Sequence, residues 1–138
     1  MLLDSEWNRH KKEIEYCRHS YTGGKVKMTK FRTIKFTGIS GKSYEFTAYS
    51  WDTIFKNNCG AVYFVTKRSR NANGGYTHIR IYVGQTEDLS TRFDNHHKQT
   101  CFDKYGANCI CVLEEQNENK RLMIEQDLIK KYHPPCND

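Results

Sequence analysis

The clearest alternation of apolar and polar positions in this chain runs through FRTIKF (31–36) and returns in SYEFTAY (43–49). β-Branched and aromatic residues fall at every second place, as half-exposed strands require, and TGISGK between them reads as the turn of a hairpin. SWDTIFKN (50–57) reads as a short helix with Ser50 as N-cap. Two strongly apolar runs follow, GAVYFVTKR (60–68) and IRIYVG (79–84), joined by a loop that holds Gly74 and Gly75. So short a connection predicts antiparallel pairing. QTEDLSTRFDNHHK (85–98) reads as the start of a helix capped by Thr86, with Glu87 and Asp88 suited to its dipole. NCICVLEE (108–115) is a third apolar strand, and NENKRLMIEQDLIKKY (117–132) is the longest helix, capped by Asn117 and stopped by two prolines. The pattern is α+β, a small and mostly antiparallel sheet with helices packed on it.

The chain has 138 residues and a formal net charge of +6. That length allows one core with a short appendage, and that charge favours an anionic partner such as nucleic acid over simple solubility only weakly. No apolar run approaches the roughly 18 residues of a membrane span, so no membrane partner is expected. The opening MLLDSEWNRHKKE has no apolar signal core. A cytoplasmic setting is therefore expected, with six cysteines as reduced thiols; the spacing of Cys109 and Cys111 suits zinc poorly. Residues 3–20 carry only a sparse apolar stripe of Leu3, Trp7 and Ile14, and 21–27 reads as a linker. Gly23-Gly24 ahead of Met28 is compatible with a ribosome-binding stretch in the message, and Met28 is accordingly expected to be the true start. Residues 1–27 carry six basic and four acidic residues, so the remainder would have 16 − 12 = +4 and stay basic.

Three sets of residues invite chemistry. Glu125 falls on the helical face of Leu122, Leu128, Ile129 and Tyr132. A carboxylate on a burying face must be paired, protonated or bound to metal, and Arg121 one turn earlier is the plain candidate to neutralise it. Arg92 and His96 lie four apart, so one helical face would carry both, either as a solvated surface or as a phosphate clamp with a proton shuttle. Tyr63 and Tyr82 sit on neighbouring apolar strands, either as core aromatics or as phenols that position a water.

Taken in order, AVY (61–63), YVGQT (82–86), Arg92, His96, Glu125 and PPCN (134–137) resemble the GIY-YIG nuclease family over roughly residues 59–138. The resemblance implies a three-stranded central sheet flanked by helices, with residues 28–58 as a β-hairpin and short-helix extension and residues 1–27 as an N-terminal extension. It implies an endonuclease that hydrolyses phosphodiester bonds in DNA, with RNA left open, using Mg²⁺ or Mn²⁺. In that reading Glu125 is the metal ligand and Arg92 neutralises a phosphate oxygen. Tyr82 takes the proton of the attacking water, oriented by Tyr63 and assisted by His96. Asn137 and Gln85 order the site, and Gly84 gives the phosphate room. Lys67, Arg68, Arg70 and Arg80 of the strand connection track the nucleic-acid backbone, or else form a solvated hairpin tip.

Two positions depart from the family pattern. Ala61 replaces the first glycine, and Gln85 stands where many members carry lysine. They favour the alternative of a nucleic-acid-binding module that no longer cuts. A third reading is a scaffolding domain whose Tyr, His and Arg are structural. Cut-site specificity and oligomeric state are not legible in the residues.

Overall fold

The computed structural model describes residues 30–137; the sparse upstream helix, the linker and the expected Met28 start lie outside the described residues. Five strands form one sheet: β1 (Lys30–Thr37), β2 (Ser43–Ser50), β3 (Ala61–Arg70), β4 (Tyr76–Thr86) and β5 (Cys109–Glu114). Their order is β1-β2-β5-β3-β4, every neighbouring pair is antiparallel, and the sheet curves as a half-barrel. Three helices are described, α1 (Leu89–Arg92), α2 (Gln99–Lys104) and α3 (Glu118–Tyr132), then a 3₁₀ turn over Pro135–Asn137.

This architecture corrects the expected three-stranded sheet flanked by helices. The β1–β2 hairpin is not an appendage: β2 pairs with β5 from Thr47↔Val112 to Ser50↔Cys109. The reason lies in its buried face. Phe36, Phe46 and Ala48 are 2%, 0% and 1% exposed. A lone two-stranded hairpin cannot bury such a face, whereas the open edge of β5 offers both hydrogen bonds and a continuation of the core. Phe36 stacks on Phe64 of β3 at 4.3 Å, and Tyr132 of α3 meets both rings edge-on.

Two cores result, one on each sheet face. The first gathers Phe36, Phe46, Phe64, Val62, Val83 and Leu128 beneath α3. The second gathers Tyr49, Tyr63, Val65, Tyr82, Leu89 and Phe102 beneath α1, α2 and the 51–59 loop. That loop, expected as a helix, is turns with a single bridge residue at Phe55. Ser50 does not cap a helix; its hydroxyl donates to Asp52 and lies 3.2 Å from the Thr53 hydroxyl, which closes a turn.

The helix expected from Thr86 onward is only four residues long. Its cap is Asp88, which accepts from the Ser90 backbone and hydroxyl, while Thr86 bonds back to Asp88 itself. It ends at Phe93, whose ring is drawn edge-on against Tyr63 at 5.1 Å and Trp51 at 5.5 Å. The expectation of six reduced thiols is also corrected. Cys101 of α2 and Cys136 of the 3₁₀ turn form a disulfide 35 residues apart, and Cys109 and Cys111 are free. Among the described residues no helix is long and apolar enough to cross a membrane.

Candidate active site at the edge of β4

Tyr63 and Gly84 are opposite one another in the β3–β4 ladder, and Val65 is opposite Tyr82. Tyr63, Tyr82 and Gly84 therefore share one sheet face. A bulge follows at once: Thr66 pairs with Arg80, so Ile81 has no partner and Ile81 and Tyr82 both reach the same core. Bulges commonly re-aim side chains in this way. The Tyr63 ring lies 6.0 Å from that of Tyr82 and crosses directly over Gly84. A Cβ at residue 84 would fall 2.8 Å from Tyr82 Cε1 and closer still to the Tyr63 hydroxyl. The missing side chain thus makes room for a phenol, not for the phosphate that the sequence suggested.

The Tyr63 oxygen is the hub of the site. Arg92 Nε donates to it at 2.8 Å, and His96 Nε2 lies 2.8 Å away. The Lys98 backbone N–H donates to His96 Nδ1 at 3.0 Å, which makes that nitrogen an acceptor and leaves the proton on Nε2. His96 is therefore a neutral imidazole that donates to Tyr63. Burial, then the charges of Arg92, His97 and Lys98, push it down to about 4. With two donors already on its oxygen, Tyr63 has its own O–H free to turn toward the neighbouring Tyr82. Both phenols are held above the ordinary tyrosine range, chiefly by burial; for Tyr82, the Arg92 charge and the bond from Tyr63 work the other way. His96 reaches this position from the turn after α1, not from one helical face shared with Arg92.

Glu125 arrives from the opposite face of the sheet. β4 is an edge strand, so alternate N–H groups point away from the ladder. The Val83 N–H donates to Asn137 Oδ1 at 2.9 Å, and Asn137 Nδ2 returns a bond to the Val83 carbonyl at 2.8 Å. Asn137 thus pairs with the strand edge as another strand would. The Glu125 carboxylate is half-buried near the Gln85 backbone and within electrostatic reach of Arg92 and Tyr82. Desolvation raises its pKa; hydrogen bonds from Gln126 and Gln85 and the charge of Arg92 offset part of the rise. Arg121 does not neutralise it. Arg121 is 4% exposed and gives its donors to Gln85 Oε1 and to the carbonyls of Glu115 and Gln116. Leu122, expected on the buried face with Glu125, is 40% exposed.

The edge of β4 therefore brings together Tyr63, Tyr82, Arg92, His96 and Glu125, with Gly84, Gln85 and Asn137 shaping the strand. A cleft of about 330 Å³ lined by Arg92, His96 and His97 opens beside them. The four basic residues of the strand connection lie elsewhere. Lys67, Arg68 and Arg70 are four to seven residues along β3 from Tyr63, roughly 13–23 Å at strand rise. Arg68 is sandwiched between the rings of Phe31 and Tyr76, and Arg80 covers the Tyr132 ring. Two features escape the sequence pattern. Arg121 looks like a surface residue of a charged helix until its three acceptors are seen, and Cys109, Cys111 and His78 cluster on the α3 face. Compared with protein families, curated proteins and solved structures, the chain finds no match in any of the three.

Proposed function

We propose that this chain is a metal-dependent endonuclease that hydrolyses phosphodiester bonds in DNA through a GIY-YIG-type site on the edge of β4. The observation that carries the reading is the half-buried Glu125, which Arg121 does not neutralise and which lies within electrostatic reach of Arg92 and Tyr82 at that edge. The residues fit a hard divalent cation. Glu125 is one carboxylate whose desolvation a positive charge would relieve, at a rim where water can complete the shell, and Mg²⁺ is commonly held by one or two carboxylates with several waters. When bound there, Mg²⁺ or Mn²⁺ supplies a charge that polarises the scissile phosphate and favours the phenolate of Tyr82.

The chain's own groups divide the remaining work. Tyr82 is the proton acceptor for the attacking water: burial holds its pKa up, and the charge of Arg92 beside it works the other way, in favour of its anion. Tyr63 holds Tyr82 in place, and His96 holds Tyr63. Arg92 spends Nε on Tyr63, which leaves its terminal N–H groups for a non-bridging phosphate oxygen. Glu125→Ala is expected to reduce Mg²⁺-dependent nicking of supercoiled plasmid to background, with circular dichroism unchanged; chelation of the metal is expected to do the same to the wild type. Cleavage retained by a folded Glu125→Ala variant overturns the reading.

One observation favours a second reading. Gln85, which stands where the family often has lysine, turns its side chain to Arg121 at 2.9 Å. A non-cleaving binding module of the same site would give salt-sensitive DNA binding without turnover in the same assay.

A further inference from the structure

Cys109 and Cys111 alternate with Ile110 on the central strand β5, so both thiols emerge on one face. Both are fully buried, and their sulfurs are 4.0 Å apart. Across β3, His78 of β4 leans over the same spot. Its Nδ1 is 2.9 Å from the hydroxyl of Thr66, which is buried and directly opposite Cys109 in the ladder. One ligand atom from each of His78, Cys109 and Cys111 lies within 4.8 Å of the other two. Elsewhere this face is Phe36, Phe46, Phe64, Val83 and Leu128, so four polar side chains at one point are conspicuous.

We propose that His78, Cys109 and Cys111 form a metal site for a thiophilic cation of the zinc class, separate from Glu125. Two thiolates and an imidazole are a soft donor set that selects Zn²⁺, Cd²⁺ or Cu⁺ and rejects Mg²⁺. Tetrahedral zinc with bonds of about 2.3 Å to sulfur and 2.0–2.1 Å to nitrogen needs sulfurs about 3.8 Å apart. The observed spacing therefore requires only a slight closing of the cluster. Thr66 fixes the His78 ring through Nδ1 and leaves Nε2 for the metal, the kind of outer support that metal-bound imidazoles receive. His78 also lines a cavity of about 340 Å³ shared with Phe31 and Tyr76, so the imidazole is the ligand nearest the surface. Bound metal would fasten β4 to β5 across β3, at the base of the hairpin that bears Lys67, Arg68 and Arg70. The site does not depend on the hydrolase reading.

The test uses the full chain with the Cys101–Cys136 bridge intact and Zn²⁺ or Co²⁺ alone as probe. The wild type is expected to keep one equivalent of zinc through dialysis and, with Co²⁺, to develop a thiolate-to-cobalt charge-transfer band. Excess Mg²⁺ should not displace either ion, and Glu125→Ala should bind as the wild type does. His78→Ala is expected to weaken binding by about 100-fold or more, and the Cys109→Ser/Cys111→Ser double variant to abolish it. A wild-type cobalt complex without the sulfur band, or wild-type affinity in His78→Ala, overturns the proposal. If the double variant does not fold, those two measurements decide it.

Discussion

The phenol of Tyr63 accepts hydrogen bonds from Arg92 and His96, and its ring has a place only because residue 84 carries no Cβ. Gly84→Ala would push either the Tyr63 hydroxyl or the Tyr82 ring aside, since both lie within contact of the new methyl. Overpacking of this kind is expected to cost about 1–3 kcal/mol, read as a lower denaturation midpoint. On the proposed hydrolase reading, cleavage should fall further than that loss of stability explains, because the displaced group is the hub of the site. On the same reading Arg92→Ala is expected to slow cleavage by about 100-fold or more, the usual consequence of losing a preorganised donor to developing charge. Arg92→Lys keeps the charge but not the fork that serves Tyr63 and a phosphate together, so it should recover only part of the rate in the same assay. These residues were legible in the sequence as a spaced set. Their mutual roles were not, because a hydrogen bond from Lys98 decides which nitrogen of His96 carries the proton.

At the scale of elements, α3 and the 3₁₀ turn hold the edge strand from outside the ladder. Asn117 caps α3 by accepting from the Lys120 N–H, Asp127 accepts from Ser40 and Tyr44 of the β1–β2 hairpin, and Asn137 takes the outward N–H of Val83 in β4. Asn137→Leu leaves the Val83 N–H and carbonyl without their partners. A loss of about 1–3 kcal/mol is expected, together with faster amide hydrogen exchange at Val83 than at Val65 on the interior strand β3. The 15-residue helix α3 was evident from its cap, its length and its prolines. The short α1 was not, because nothing local reveals that Phe93 is needed edge-on against Tyr63 and Trp51, where a continued helix would not put it.

Across the whole molecule, the buried neutral His96 couples the fold to pH. Its folded pKa of about 4 lies below the ordinary value of 6.5, so the unfolded chain binds the proton more readily. The stability this contributes is complete above pH 6.5 and is lost as pH falls from there through about 4, roughly 3 kcal/mol in total. His96→Gln retains a donor toward Tyr63 but does not titrate. Denaturant unfolding at pH 7, 6, 5 and 4 should therefore show the wild type losing about that much more stability than the variant over the range.

Local pattern by itself determined the strands, the long helix with its cap, and the order and spacing of Tyr63, Tyr82, Arg92, His96, Glu125 and Asn137, because periodicity and capping act over a few residues. Only the tertiary structure decided that the hairpin completes a five-stranded sheet, because an apolar hairpin face and an open strand edge satisfy each other at a distance in sequence. It alone turned Arg121 inward to Gln85 and away from Glu125, joined Cys101 to Cys136, and gave the space above Gly84 to a phenol. Each of these depends on which groups remain unpaired once strands and helices have packed, and no short stretch of residues contains that information.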